Sequence, residues 1–206
     1  GTPYPVPLVT GMVSGGLVFL TGFFCSTGLA PSALFSLIIP LILFLFIAEL
    51  YLKKENPFLS LPVLIFGLVY VAVPYLLSNL LVFPGANNHR YTPAILLGLL
   101  TLIWLNDTGA YVFGMLFGRH RHFERISPKK SWDGALGGTF VTLVLGYFMP
   151  LFVPLLSRTD WLVLSLLVSV FGVFGDLFES LLKRSTGVKD SGSLMPGHGG
   201  ILDRMD

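Results

Sequence analysis

The chain has 206 residues, of which 53% are apolar and 12% charged, with a mean hydropathy of +0.79. A soluble domain is about 25% charged, so 13 basic and 11 acidic residues cannot cover a water-facing surface; an ordinary soluble enzyme and a disordered chain are both excluded. The net charge of +2 is too small for a nucleic-acid binder, and no nucleic-acid partner is expected. Cys25 is the one cysteine, which excludes an intrachain disulfide and a multi-cysteine metal site.

Six apolar stretches follow one another at about 8–29, 32–52, 58–83, 93–117, 135–156 and 161–182. Each is long enough to cross a hydrocarbon core of about 30 Å as a helix. Pro62, Pro74 and several glycines interrupt them, as membrane helices tolerate. The expected architecture is a single all-α, polytopic integral membrane domain over 1–206, with about six transmembrane helices. The links are short: a two-lysine turn after Leu52, a polar turn over 84–92, the basic loop 118–134, and a tight turn at Ser157–Asp160. From Lys183 to Asp206 the chain is a polar, glycine-rich tail.

Alternating the sides across six spans puts 11 of the 13 lysines and arginines on one side and leaves Arg90 and Arg158 on the other. Positive charge marks the cytoplasmic side, so both ends and the long loop are expected there. The chain opens Gly1-Thr2-Pro3 and stops at Asp206 within a run of functional-looking residues, so a truncated chain is expected.

Carboxylates inside apolar spans cost several kcal/mol unless they pair, protonate or meet water. Glu49 has Lys53 four residues on, which an interfacial pair explains. Asp107 lies in a polar island, Asn106-Asp107-Thr108, within the fourth span; some of these residues suit the wall of a wet cavity, and the competing reading is a helix-packing polar cluster in which Gly109 and Ala110 permit close approach. Asp176, Glu179 and Lys183 are spaced i, i+3, i+7 on one face of the last helix, with Gly172 and Gly175 beside them. A Glu179–Lys183 pair accounts for Glu179 and leaves Asp176 unexplained.

The loop reads Ser127-Pro128-Lys129-Lys130-Ser131-Trp132-Asp133-Gly134. Two lysines and nearby glycine backbone suit an anionic phosphate. The tail is denser in such groups. Its lysines and arginines can neutralise phosphates, its aspartates can hold Mg²⁺, and Gly199-Gly200 after His198 can offer backbone N–H donors. Oxygen ligands without cysteine favour Mg²⁺ or Mn²⁺ over zinc.

This tail resembles the signature of the phosphatidate cytidylyltransferase family, the CDP-diacylglycerol synthases. That signature runs S-x-x-K-R, four residues, K-D, and then P-G-H-G-G-x-x-D-R-x-D. It is matched here by Ser180, Lys183, Arg184, Lys189, Asp190, Pro196, Gly197, His198, Gly199, Gly200, Asp203, Arg204 and Asp206. Met195 stands where the family more usually has Leu, Ile or Phe. Three upstream blocks look like the family too: Asp107-Thr108-Gly109-Ala110-Tyr111, Ser127-Pro128-Lys129-Lys130-Ser131-Trp132 and Gly175-Asp176-Leu177-Phe178-Glu179-Ser180. The resemblance covers about 97–206, and the first 90 residues carry no distinguishing motif.

The resemblance implies a nucleotidyltransferase of the bacterial inner membrane, working as a homodimer with further helices beyond this chain. Its reaction would convert phosphatidate and CTP to CDP-diacylglycerol and pyrophosphate, at a site facing the cytoplasm. It implies Asp176 and Asp203 as metal ligands for one Mg²⁺, and leaves a second cation open. Lys183, Arg184, Lys189 and Arg204 become candidates for clamping phosphate, with Asp190 orienting Lys189 or a metal-bound water and His198 positioning phosphate. Asp107, Lys129, Lys130, Ser180, Gly199, Gly200 and Asp206 are candidates for binding substrate. Intramembrane carboxylates and broken helices also suit an ion-coupled carrier, but no inverted repeat is visible and the densest polar motifs are cytoplasmic. The D-G-x-x-A-R motif of CDP-alcohol transferases is absent.

Overall fold

Each long apolar stretch forms a helix. The computed structural model describes residues 8–51, 57–84, 90–118 and 130–185. Within them lie α1 (Leu8–Ser26), α2 (Ile38–Tyr51), α3 (Pro57–Gly67), α4 (Val73–Val82), α5 (Ala94–Phe117), α6 (Trp132–Phe148) and α7 (Arg158–Ser185). A 3₁₀ turn, Ser32–Leu37, leads into α2, and a wide π turn, Leu68–Ala72, joins α3 to α4. Six of the resulting rods are long and apolar enough to cross a membrane. Their outer faces are apolar: Leu136, Phe140, Val144 and Phe148 recur every four residues on α6, and all are exposed. Such a stripe suits lipid rather than water.

The fold divides into two units, Gly1–Leu96 and Leu97–Asp206. In the first, Val18, Leu45, Leu61, Leu64, Leu68, Ala72 and Leu76 form the core. Gly28 ends α1 at φ 73°, a left-handed conformation that favours glycine. Pro74 explains the π turn. It has no N–H to give, and its ring would strike the carbonyl of Tyr70 in a regular helix. The chain widens instead, and the Val73 N–H reaches back to the Leu68 carbonyl. Glu49 is 5% exposed on α2 and accepts a hydrogen bond from Ser60 Oγ on α3 at 3.0 Å. Lys53, the partner expected for Glu49, lies outside the described residues.

The second unit packs α6 antiparallel against α7. Leu102, Met149 and Trp161 form its core, and the Trp161 indole N–H donates to the Val153 carbonyl at 3.2 Å. Ser157 and Asp160 open α7 with a reciprocal cap. The Ser157 N–H donates to Asp160 Oδ2 at 3.0 Å, and the Asp160 N–H donates to Ser157 Oγ at 3.2 Å. Helix α6 starts at Trp132, three residues before its apolar stretch, because Ser131 caps it: Ser131 Oγ accepts the Gly134 N–H at 3.1 Å. Helix α7 carries Lys183 and Arg184 in its last turn, where basic side chains suit the helix dipole.

Candidate active site

Small residues bring α5 and α6 together. A Cβ on Gly138 would stand 2.6 Å from the Asn106 carbonyl oxygen, and one on Gly134 would stand 2.7 Å from the Ala110 carbonyl oxygen. Membrane helices in contact on glycine and alanine approach closely in this way. Asn106 then ties the helices laterally. It is 5% exposed, and its Oδ1 lies 3.3 Å from Thr142 Oγ1 of α6, a hydroxyl whose one proton is shared with the Gly138 carbonyl of its own helix at 2.8 Å. On its other side Asn106 faces Gly172 of α7, where a Cβ would stand 3.6 Å from its Nδ2. Gly175 has open space around its Cβ position, so only Gly172 of that pair serves close approach.

Above this crossing lies a cavity of about 460 Å³, walled by all three helices. Asp107 and Tyr111 come from α5, Lys130 and Ser131 from the entry to α6, and Asp176 from α7. Lys130 Nζ forms an ion pair with Asp176 Oδ2, and the two side chains are 33% and 43% exposed. Ser180, one turn along α7, donates to the other carboxylate oxygen, Asp176 Oδ1, at 3.4 Å. The N-terminus of α6 also opens here, adding the partial positive charge of its backbone N–H groups. The cavity therefore holds a carboxylate, an ammonium and a helix N-terminus close together, a combination suited to phosphate groups and their counter-ions.

Four sequence candidates gather at this place: Asp107, Lys130 and Asp176 at the wall, and Ser180 through its bond to Asp176. Lys183 instead pairs with Glu179 at 2.9 Å along α7, and Glu179 is 1% exposed. Arg184 is exposed at the end of the same helix. Lys129, Lys189, Asp190, His198, Gly199, Gly200, Asp203, Arg204 and Asp206 lie outside the described residues. The candidate list lacked Asn106, Tyr111 and Ser131, which also line the cavity. Asn106 had a signal, since it adjoins Asp107 within an apolar span, and Ser131 had Lys130 before it and Asp133 two residues on.

The sequence matches the cytidylyltransferase family over residues 4–206. The chain belongs to that family. A phosphatidate cytidylyltransferase of Staphylococcus haemolyticus (strain JCSC1435) is 49% identical over 107 residues, covering 51% of this chain and 41% of that protein. Phosphatidate cytidylyltransferases of Staphylococcus aureus (strain COL) and Staphylococcus epidermidis (strain ATCC 12228 / FDA PCI 1200) match with the same identity and coverage. The match thus spans about two fifths of the length of these curated relatives. Family membership and the six apolar helices together make this a polytopic membrane protein.

Proposed function

We propose that this chain belongs to an enzyme that transfers a cytidylyl group from CTP to phosphatidate, giving CDP-diacylglycerol and pyrophosphate. The carrying observation is the Lys130–Asp176 pair in a cavity that Asp107 also lines. A phosphate oxygen of phosphatidate attacks the α-phosphorus of CTP. The bond from that phosphorus to the oxygen bridging to the β-phosphate breaks, and pyrophosphate leaves with the electron pair. Both reactants are anions, so the protein's task is to hold them together and neutralise their charge. Lys130 and the α6 N-terminus supply positive charge at the cavity. Arg184, Lys189 and Arg204 are candidates for the same task, Lys183 only while it also serves Glu179, with Lys129 a candidate for binding substrate and His198 for positioning phosphate. CTP enters from water, and the acyl chains of phosphatidate stay in the bilayer beside the helices.

The donors in the cavity fit Mg²⁺. Asp176 is partly exposed there and Asp107 stands at the same wall, both oxygen donors. No cluster of three or more His, Cys, Asp or Glu occurs among the described residues, and Mg²⁺ does not need one. It commonly binds through one or two carboxylates together with substrate phosphates and water. Asp176 would hold the ion, with Asp203 as the second ligand that the family resemblance implies. Bound there, Mg²⁺ would offset the charge of the phosphate groups. A homodimeric state and a site facing the cytoplasm of a bacterial inner membrane complete the reading. The 11-to-2 distribution of basic residues supports that orientation.

The test is turnover by the purified full-length protein in detergent, with labelled CTP, phosphatidate and Mg²⁺. Labelled CDP-diacylglycerol and pyrophosphate should form, and EDTA should stop them. Asp176→Asn should lower turnover by about 10²-fold or more, the scale for removing one electrostatic partner of a transition state, without reducing membrane insertion. Near-wild-type turnover in that variant would remove Asp176 from the metal site. Absence of product from the folded wild-type protein would overturn phosphatidate as the acceptor and assign the motif to another lipid phosphate, to be tried before transport.

A further inference from the structure

We propose that Lys130 is an exchangeable counter-ion. It neutralises Asp176 while the cavity holds neither nucleotide nor cation, and it leaves the carboxylate when a divalent cation binds there. The inference rests on the reading of Asp176 as a cation ligand, and it adds how that ligand is kept before the cation arrives.

Three features carry it. First, the pair is built to separate. Both side chains are partly exposed, at 33% and 43%, and ion pairs at such exposure are weak. Lys130 precedes the cap residue Ser131 and so stands outside the helix, at the end of a flexible four-carbon stem. Second, the carboxylate has a contact that does not involve the lysine. Lys130 takes Oδ2, whereas Ser180 of the same helix donates to Oδ1 at 3.4 Å. Departure of the ammonium therefore still leaves Asp176 this longer contact with Ser180.

Third, α7 provides its own contrast. Glu179, three residues on, is 1% exposed and paired within the helix to Lys183. Breaking that pair would strand a buried charge. One carboxylate of α7 is thus committed to structure, and the other meets its partner across an open cavity.

An ammonium and a divalent cation on the same carboxylate repel each other, so each weakens the binding of the other. A triphosphate entering the cavity offers Lys130 a replacement partner. Cation binding and lysine release are then coupled, and the coupling is reciprocal. The empty cavity should take up a cation weakly, because the ion must first displace the lysine.

The test uses Mn²⁺ alone, with free Mn²⁺ read by electron paramagnetic resonance on the purified protein in detergent. Lys130→Met keeps the length of the side chain and removes its charge. It should bind Mn²⁺ about tenfold more tightly than wild type, within the usual range of site-to-site coupling. In the unaltered protein, saturating Mn²⁺ should increase the rate at which the Lys130 amine is acetylated by an amine-reactive reagent, measured by mass spectrometry. Equal or weaker Mn²⁺ binding by a folded Lys130→Met overturns the proposal, as does an unchanged Lys130 acetylation rate. Asp176→Asn separates this failure from the other. If it abolishes Mn²⁺ binding while the lysine tests fail, the ligand assignment stands without the exchange. If it binds Mn²⁺ like wild type, the ligand assignment fails and takes the exchange with it.

Discussion

Substituting Gly138 by alanine tests whether the α5–α6 crossing positions the cavity. The added Cβ would lie 2.6 Å from the Asn106 carbonyl oxygen, and 3.1 Å from both the Ala110 nitrogen and the Ala110 Cβ. The first distance falls about 0.8 Å short of the 3.4 Å at which ordinary van der Waals contact begins. Two of these three obstacles are backbone atoms, which no rotamer change can move, so α5 must retreat as a rod. Overpacking of this kind costs about 1–3 kcal/mol. The retreat moves Asp107 away from Lys130 and Asp176, and a misplacement near 1 Å costs about 10²-fold in rate. If the proposed reaction is right, Gly138→Ala should lower CDP-diacylglycerol formation by about that factor, and in any case it should lower the melting temperature in detergent. Gly175→Ala is the control: its Cβ would enter open space, and alanine is the better helix former. A Gly138→Ala protein with wild-type turnover and melting would refute the argument that backbone contact holds α5 in place.

Thr142→Val keeps the shape of the side chain and removes the hydroxyl shared between Asn106 Oδ1 and the Gly138 carbonyl. It should destabilise the protein by about 0.6–2 kcal/mol, the range for polar contacts between membrane helices. Thr142→Ser should recover most of that loss in the same melt, and failure to do so would mean that the methyl group, not the hydrogen bond, matters there. Ser60→Ala removes a hydrogen bond to the buried Glu49 carboxylate and should cost about 1.5–3 kcal/mol by thermal or SDS unfolding. Because Ser60 belongs to the first unit, Mn²⁺ affinity at Asp176 should stay unchanged.

Much of this fold could be read in advance, because a lipid-facing helix must be apolar along its whole length. The six stretches and the short polar links carried that information directly. The cavity was legible in part for the same reason: Asp107 and Asp176 are out of place in hydrocarbon, so each stood out singly. Which lysine meets Asp176 was not legible. Lys183 shares its helix face, yet Lys183 goes to Glu179 and the partner of Asp176 comes from the entry to α6. That choice depends on how α6 crosses α7, and helical spacing says nothing of it. The Asn106–Thr142 bond was hidden likewise, since it joins residues 36 apart. The start of α6 was obscured by hydropathy: Ser131 and Asp133 read as loop, although they are what a helix N-terminus requires.

The π turn beside Pro74 has a geometrical consequence for the first unit. Leu64, Leu68, Ala72 and Leu76 recur every four residues, and all four meet the glycines of α1: Leu64 at Gly11, Leu68 and Ala72 at Gly15, and Leu76 at Gly22. In an unbroken α-helix a four-residue repeat drifts about 40° around the axis at each step. Three steps would carry the last leucine well round from the first and out of reach of α1. The wide turn falls at Leu68–Ala72, midway along this row, and absorbs the extra angle. The proline thus acts as a phase correction, allowing a period-four sequence to present one straight edge to a neighbouring helix across most of a bilayer.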